Sequence, residues 1–264
     1  MRIRVVIPCH HRLDLLERAL NALPGRELLV VDDSRDGRVR PRGVPRVRTT
    51  GEIGFAAAAN AGIAAAEAEG ASHVFLLNDD AVPSNDCVDR LAEAWREDTG
   101  AVGPLIYGPE GLESAGFELS WWGRVRSRRT LGRDARAEAM RRGAVQEVAA
   151  LSGAAMLLSS CTRFDPAFRH GFEDLALCRE LRGKGLRVLL APAARVLHLG
   201  GGTVGRASRE AQRHAISGHL RYLGGGWRGG VAVGLAVAQV IREGGPADRL
   251  AGVREGVRDW RRGG

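Results

Sequence analysis

Aromatic residues are scarce. Six Phe, five Trp and two Tyr make up 5% of the 264 residues. Proteins that hold single-stranded nucleic acid stack bases on aromatic platforms. With few such residues and no RRM, OB-fold or zinc-finger signature, a nucleic-acid partner is not expected. Lysine is almost missing: Lys184 is the one lysine among 39 basic residues, and the others are arginines. The four cysteines (Cys9, Cys87, Cys161 and Cys178) lie far apart with no C-x-x-C spacing. This excludes a zinc framework or a disulfide scaffold and suits reduced thiols in a cytoplasmic protein. Long hydrophobic runs are also absent. The longest near the C-terminus, Gly229 to Ile241, has 13 residues, whereas a membrane span needs about 20. The N-terminal apolar stretch is closed by Pro8 and reads as a strand, not a signal peptide.

The rest of the composition is that of an ordinary globular chain. It is 44% hydrophobic and 27% charged, with a net charge of +8. This length can bury a full core without disulfides or a structural metal. The positive charge is uneven: Trp121 to Arg142 holds eight arginines against Asp134 and Glu138. Such a patch suits an anionic partner, and Trp121-Trp122 can stack on a sugar or sit at a membrane interface. The segment is expected to be a mobile flap that meets an anionic or lipid-linked partner, with a solvated basic loop as the plain alternative.

Periodicity predicts strands at Arg2–Ile7, Leu28–Val31, Val47–Thr49, Val74–Leu77 and Ala101–Ile106. Helices are predicted from Leu13 to Leu23, from Gly54 to Glu69, and after Pro83-Ser84. This alternation specifies an α/β fold with a mostly parallel, Rossmann-like sheet and helices on both faces. The second half reads as an irregular Gly108–Gln146 stretch and an apolar Val148–Ser160 segment. Beyond these come a helix at Glu173–Arg182 capped by Gly183, a strand at Leu186–Leu190, and a helix at Ser208–Leu223. Gly224-Gly225-Gly226 is a hinge before one or two terminal helices over Val231–Trp260. The expected division is a catalytic domain over 1–225 and a C-terminal helical extension over 226–264.

In open parallel sheets, ligands sit beyond the carboxyl ends of the strands. Asp32-Asp33 and Asn78-Asp79-Asp80 stand at such ends. Adjacent carboxylates repel, so the Asp79-Asp80 pair suits a hard cation such as Mg²⁺ or Mn²⁺, which also takes phosphate oxygens and water. A turn with a helix N-cap is the plain alternative. His198 becomes a second ligand if the fold brings it to Asp80. Glu173-Asp174, at a helix start, can serve as a general base or merely favour the helix dipole. Asp32 can accept a nucleobase N–H or form an Asx-turn with Ser34. His10-His11 follow the first strand, and Gly200–Gly202 could approach phosphates or form an ordinary loop.

Taken together, these pieces resemble a family 2 glycosyltransferase with the GT-A fold, the nucleotide-diphospho-sugar transferase fold, nearest its rhamnosyltransferase-like branch. The resemblance covers roughly residues 3 to 225. It rests on Val5-Val6-Ile7-Pro8, Val30-Val31-Asp32-Asp33-Ser34, Gly54-Phe55-Ala56 with Asn60, and Leu76-Leu77-Asn78-Asp79-Asp80. It continues through Ser152-Gly153-Ala154, Phe172-Glu173-Asp174-Leu175-Ala176-Leu177 and Val196-Leu197-His198. The resemblance implies an inverting, metal-dependent transferase acting on a nucleotide-sugar, UDP- or dTDP-linked, with a glycan, lipid-linked or small-molecule acceptor. It places Pro8, Asp32, Asp33, Asn60, Asn78 and Asp79 along the donor, with Asp32 at the base and Asp79 beside the ribose or sugar. Asp80 and His198 would hold the metal, Asp174 would be the catalytic base, and Glu173 would place it or touch the acceptor. Glu52 stands where the branch usually has Asn, Ala59 where other members have Arg, and Ala176 where an acidic residue is usual. The expected location is cytoplasmic, with room for peripheral contact at the inner membrane face. A sugar-phosphate nucleotidyltransferase is the competing enzyme class, though Pro8-Cys9-His10-His11-Arg12 replaces its glycine-rich, lysine-bearing loop. A non-enzymatic binder of nucleic acid or anionic membrane is the competing reading outside enzymes.

Overall fold

The N-terminal apolar runs form the centre of one mixed sheet. In the computed structural model, which describes residues 1–120, 125–127, 140–168, 171–199, 209–242 and 247–262, β1 (Ile3–Cys9) lies between β2 (Leu28–Asp32) and β4 (His73–Leu77), parallel to both. β3 (Arg46–Arg48) adds an outer parallel strand beside β2. Beyond β4 the order runs through β11 (Ala155–Ser159), β6 (Thr99–Gly108), β12 (Arg187–His198) and β10 (Gln146–Glu147). β11 is antiparallel to both neighbours, whereas β6 and β12 are parallel to each other. Two short strands, β5 (Ala81–Pro83) and β7 (Gly111–Ser114), pair antiparallel with the ends of β12 and β6. β8 (Phe117–Leu119) and β9 (Val125–Ser127) form a separate antiparallel pair.

Strand alternation splits the core across the two faces of this sheet. Val6, Val31, Leu76 and Leu190 face one side. There they pack on α2 (Phe55–Ala68) and on Leu175, Leu177 and Leu181 of α4 (Glu173–Gly183). Val5, Ile7, Phe75 and Leu189 face the other, against α1 (Leu13–Asn21) and α3 (Cys87–Ala94). The alanines of α2 allow close approach to the strands. A Cβ on Gly62 would stand 2.4 Å from Val6 Cγ1 and 2.6 Å from Val31 Cγ2, so only glycine fits between helix and sheet at that point. Three further helices, α5 (Arg209–Leu223), α6 (Gly226–Arg242) and α7 (Ala247–Arg262), share a smaller cluster built on Ile216, Leu220 and Val253.

Several boundaries differ from the sequence expectation. The chain after Asp80 forms β5 before it turns helical, so Pro83 ends a strand and α3 starts at Cys87. Pro83 has no N–H to give a ladder and is tolerated on this short outer strand. The strand expected at Leu186–Leu190 continues through Pro192 to His198, with a register shift between Ala191 and Arg195 that absorbs the proline. The stretch expected to be irregular, Gly108–Gln146, contains β7, β8 and β9 and reaches β10. Gly183 lies inside α4, and the left-handed residue beyond the helix end is Gly185 (φ 80°). The proposed basic flap falls mainly outside the described residues; within it the structure describes 125–127 and 140–142. Gly200–Gly202 also lies outside them.

Candidate active site

Parallel pairing aligns the motif-bearing strand ends. Cys9 pairs with Asp32 at the ends of β1 and β2, and β4 delivers Asn78-Asp79-Asp80 on the adjacent side. β5 folds back from Ala81 to pair with the end of β12, with Ala81 opposite His198. This turn brings the last residue of the motif, Asp80, to the histidine 118 positions later in the chain. His198 Nε2 lies 3.1 Å from Asp80 Oδ1, and His198 Nδ1 lies 3.2 Å from Glu113 Oε2. The contact with Asp80 is not aligned as a hydrogen bond: Asp80 Oδ1 is buried and has no hydrogen-bond partner, and the same is true of Asn78 Oδ1. The carboxylate oxygen and the imidazole nitrogen thus meet as a close, partly buried pair at the strand ends. Among the described residues no three His, Cys, Asp or Glu side chains form a closed cage. The protein therefore offers an open oxygen–nitrogen pair, which suits Mg²⁺ or Mn²⁺ completed by phosphate and water.

Electrostatics follow this geometry. Burial alone would raise the Asp80 carboxyl and lower the His198 imidazole, but their contact reverses both. Asp80 lies below its ordinary value and His198 above, with Glu113 adding to the latter. Asp79 is pushed up to about 6 by burial and by Asp80, partly offset by Cys9 and Arg12. Glu113, on β7, was not singled out by the sequence because it belongs to no motif there. It occupies the far nitrogen of the imidazole, the position from which a carboxylate orients a metal-binding histidine.

The second carboxylate centre is at the start of α4. Asp174 Oδ2 accepts the Gly153 N–H at 2.8 Å, and Oδ1 accepts the Leu175 N–H at 2.8 Å. Asn78 N–H in turn donates to the Ala154 carbonyl at 2.9 Å. Ser152-Gly153-Ala154 thus ties the end of β4 to the start of α4, which explains its place among the motifs. Both acidic residues keep some exposed surface, yet the Glu173 carboxyl oxygen Oε2 is buried with no hydrogen-bond partner. Burial raises both carboxyls, and their mutual repulsion adds to the shift at Glu173. The two N–H donors favour the ionised form of Asp174 and partly offset its rise. Phe172, just before the helix, is left-handed (φ 71°) and stacks on His219 of α5 at 4.6 Å. The terminal helices thereby hold this strained entry in place.

Other expected donor residues turn inward. Asp32 is fully buried; Oδ1 accepts from the Ser34 amide and hydroxyl, and Oδ2 lies 3.1 Å from Arg46. The Asx-turn with Ser34 is therefore present. Asp33 uses Oδ1 to hold Thr49 and the Ile53 N–H, and its Oδ2 has no hydrogen bond among the described residues. Asn60 braces a loop. Its amide is locked to the Phe164 backbone in both directions, at 2.8 Å each way. Pro8 closes the last rungs of β1 opposite Val31. Glu52 adopts a left-handed conformation (φ 54°) and contacts His10 and Arg35. Asn is favoured in that conformation, so the asparagine that the resemblance implies at this position would suit the same backbone.

The sequence profile described as "Glycosyl transferase family 2" matches residues 4–144, more than half of the chain. The chain belongs to glycosyl transferase family 2. Strands β1 to β9 and both acidic clusters, Asp32-Asp33 and Asn78-Asp79-Asp80, lie within or overlap the matched span, whereas Asp174 and His198 lie beyond it. Among solved structures, the chain is similar to the crystal structure of GalNAc-T7 with UDP, GalNAc and Mn²⁺. The TM-score is 0.65 at 16% identity, over 84% of this chain and 47% of that one. This likeness shows the GT-A fold, and the chain spans about half the length of that protein. Among curated proteins, none matches the chain in sequence.

Proposed function

We propose that the chain is a metal-dependent, inverting glycosyltransferase that moves a sugar from a nucleotide-diphosphate donor to an acceptor hydroxyl. The reading is supported most by one observation. Two carboxylate centres, Asp80 with His198 and Asp174 with Glu173, are joined through the Asn78–Ala154 and Gly153–Asp174 hydrogen bonds into one connected unit. GalNAc-T7, on the same fold, holds UDP and Mn²⁺, which supports a nucleotide-sugar donor and a divalent ion here.

Asp80 and His198 would hold the ion, which when bound supplies positive charge to the departing diphosphate. Glu113 orients the His198 ring. Asp174, fixed by two backbone N–H groups, accepts the proton of the acceptor hydroxyl as its oxygen bonds to the anomeric carbon. The bond from that carbon to the diphosphate oxygen breaks on the opposite face, so the configuration inverts. Glu173, protonated, adds no second negative charge beside the forming bond. At the other end of the donor, the Asp33 Oδ2 is free to accept the N3–H of uracil or thymine, while Asp32 holds the loop that carries it. A UDP- or dTDP-linked hexose or deoxyhexose is the favoured donor class, in keeping with the rhamnosyltransferase-like branch. The acceptor class is a glycan, a lipid-linked or a small hydroxyl compound, met on the cytoplasmic side.

Turnover of Asp174→Asn tests the assignment of the base. With nucleoside-diphosphate release from a UDP- and dTDP-sugar panel as the readout, the rate is expected to fall by roughly 10²–10⁴-fold while UDP affinity is kept. A variant with near-normal turnover would remove Asp174 from the mechanism.

A further inference from the structure

The helix α6 is apolar on both sides. Its sequence from Gly226 to Arg242 contains three polar residues, Arg228, Gln239 and Arg242, and no acidic one. One side, with Ala232, Val233, Ala236 and Val240, faces inward, and several of these residues join the cluster shared with α5 and α7. The opposite side is equally apolar and lies in solvent: Trp227 is 60% exposed, Val231 40%, Leu235 51% and Ile241 65%. Trp227, Val231 and Leu235 follow one another at i, i+4 and i+8, and Ile241 returns to the same side after almost two further turns. Half of the chain's exposed large hydrophobic side chains described by the structure lie on this single stripe. A helix that is apolar all round is normally covered, and this one is covered on one side only.

The dimensions and charge decide between covers. At 17 residues α6 is about 25 Å long, and a stripe about 10 Å wide offers roughly 250 Å². A stable protein–protein interface takes about 800 Å² from each partner, so a second copy docked on this stripe alone would be held too weakly. A lipid surface makes no such demand, because shallow insertion of a few side chains suffices when basic residues add attraction to anionic head groups. The chain carries a net +8, and residues 226–264 hold seven arginines against four acidic residues. Trp227, with the Arg228 guanidinium 5.6 Å from its ring centre, is the pairing suited to the head-group level. No helix among the described residues is long and apolar enough to cross a membrane, so the helix would lie in the interface and not span it.

We infer that α6 is an interfacial helix that docks the protein on an anionic lipid surface through Trp227, Val231, Leu235 and Ile241. The docking does not depend on the donor chemistry, so the two readings fail separately. The test uses the full chain and vesicles of phosphatidylcholine with and without phosphatidylglycerol. The wild type partitions onto the anionic vesicles, less so at high salt, and its tryptophan emission shifts to the blue; Trp227→Phe removes most of that shift. The double variant Leu235→Asp, Ile241→Asp alters exposed positions only and keeps its melting temperature and its UDP binding, but its partition falls at least tenfold. Equal partition of wild type and double variant would overturn the inference. So would the absence of vesicle binding by the wild type, or a stable wild-type dimer that the double variant dissolves.

Discussion

Replacing Glu173 by glutamine should make the protein more stable at neutral pH, and the gain should grow as pH rises. Glu173 Oε2 is buried without a hydrogen-bond partner, and Asp174 is the neighbouring charge. Both folded-state values are raised above the ordinary carboxylate range, first by burial. A carboxyl whose value is raised on folding stabilises the protein while it stays protonated, and loses that contribution as pH rises through the folded value. From about pH 4.5 upward the unfolded chain has released its protons while the folded pair retains one. Stability should then fall by up to about 1.4 kcal/mol per pH unit. Glutamine has the same shape and cannot ionise, so this slope disappears. At pH 7.5 the variant should exceed wild type by up to about 4 kcal/mol, about three pH units at about 1.4 kcal/mol each. Urea denaturation at pH 5.5, 6.5 and 7.5 measures this directly. Parallel midpoints for the two proteins at all three values would refute the claim that the pair shares a retained proton.

Three further substitutions separate chemistry from scaffold. Gly153→Ala would place a Cβ 3.4 Å from Asp174 Cβ and 3.5 Å from Phe55 Cε1. These are ordinary contact distances, so the base should stay in place, and turnover and melting temperature should both change little in kinetic and thermal assays. Asn60→Ala removes both bonds to Phe164 and should cost about 1–3 kcal/mol in denaturant titration, with UDP affinity unchanged. Glu113→Ala leaves the far nitrogen of His198 unsupported and should weaken Mn²⁺ binding by roughly 10–100-fold in calorimetry, with Glu113→Gln recovering part of the loss.

The sheet was legible because buried parallel strands read as apolar runs. Leu28–Val31 and Val74–Leu77 lie within strands of almost the same limits, and the acidic residues after them stand at one sheet end as expected. The approach of Asp80 and His198 could be stated only as a condition, since nothing local reports that Ala81 pairs with His198. The second half was harder to read. Its strands are short, antiparallel or bulged at a proline, and their periodicity spans too few residues to stand out. Glu113 is invisible for the same reason: its importance comes from the antiparallel return of β7 along β6. Asp32 and Asn60 illustrate a different limit. Motif membership identified them, but whether a polar side chain faces a ligand or braces a loop depends on partners such as Arg46 and Phe164, which lie 14 and 104 positions away.

Calorimetric titration of UDP with and without Mn²⁺, on wild type and on Asp80→Asn and His198→Ala, tests the shared ion most directly. Wild type should bind UDP at least tenfold more tightly with Mn²⁺. At a hundredfold excess of ligand over Kd, melting should report about 2.7 kcal/mol of added stability. Each variant should lose the Mn²⁺-dependent part while keeping its fold. Equal UDP affinity with and without the ion, or a full Mn²⁺ effect retained in both variants, would contradict the account.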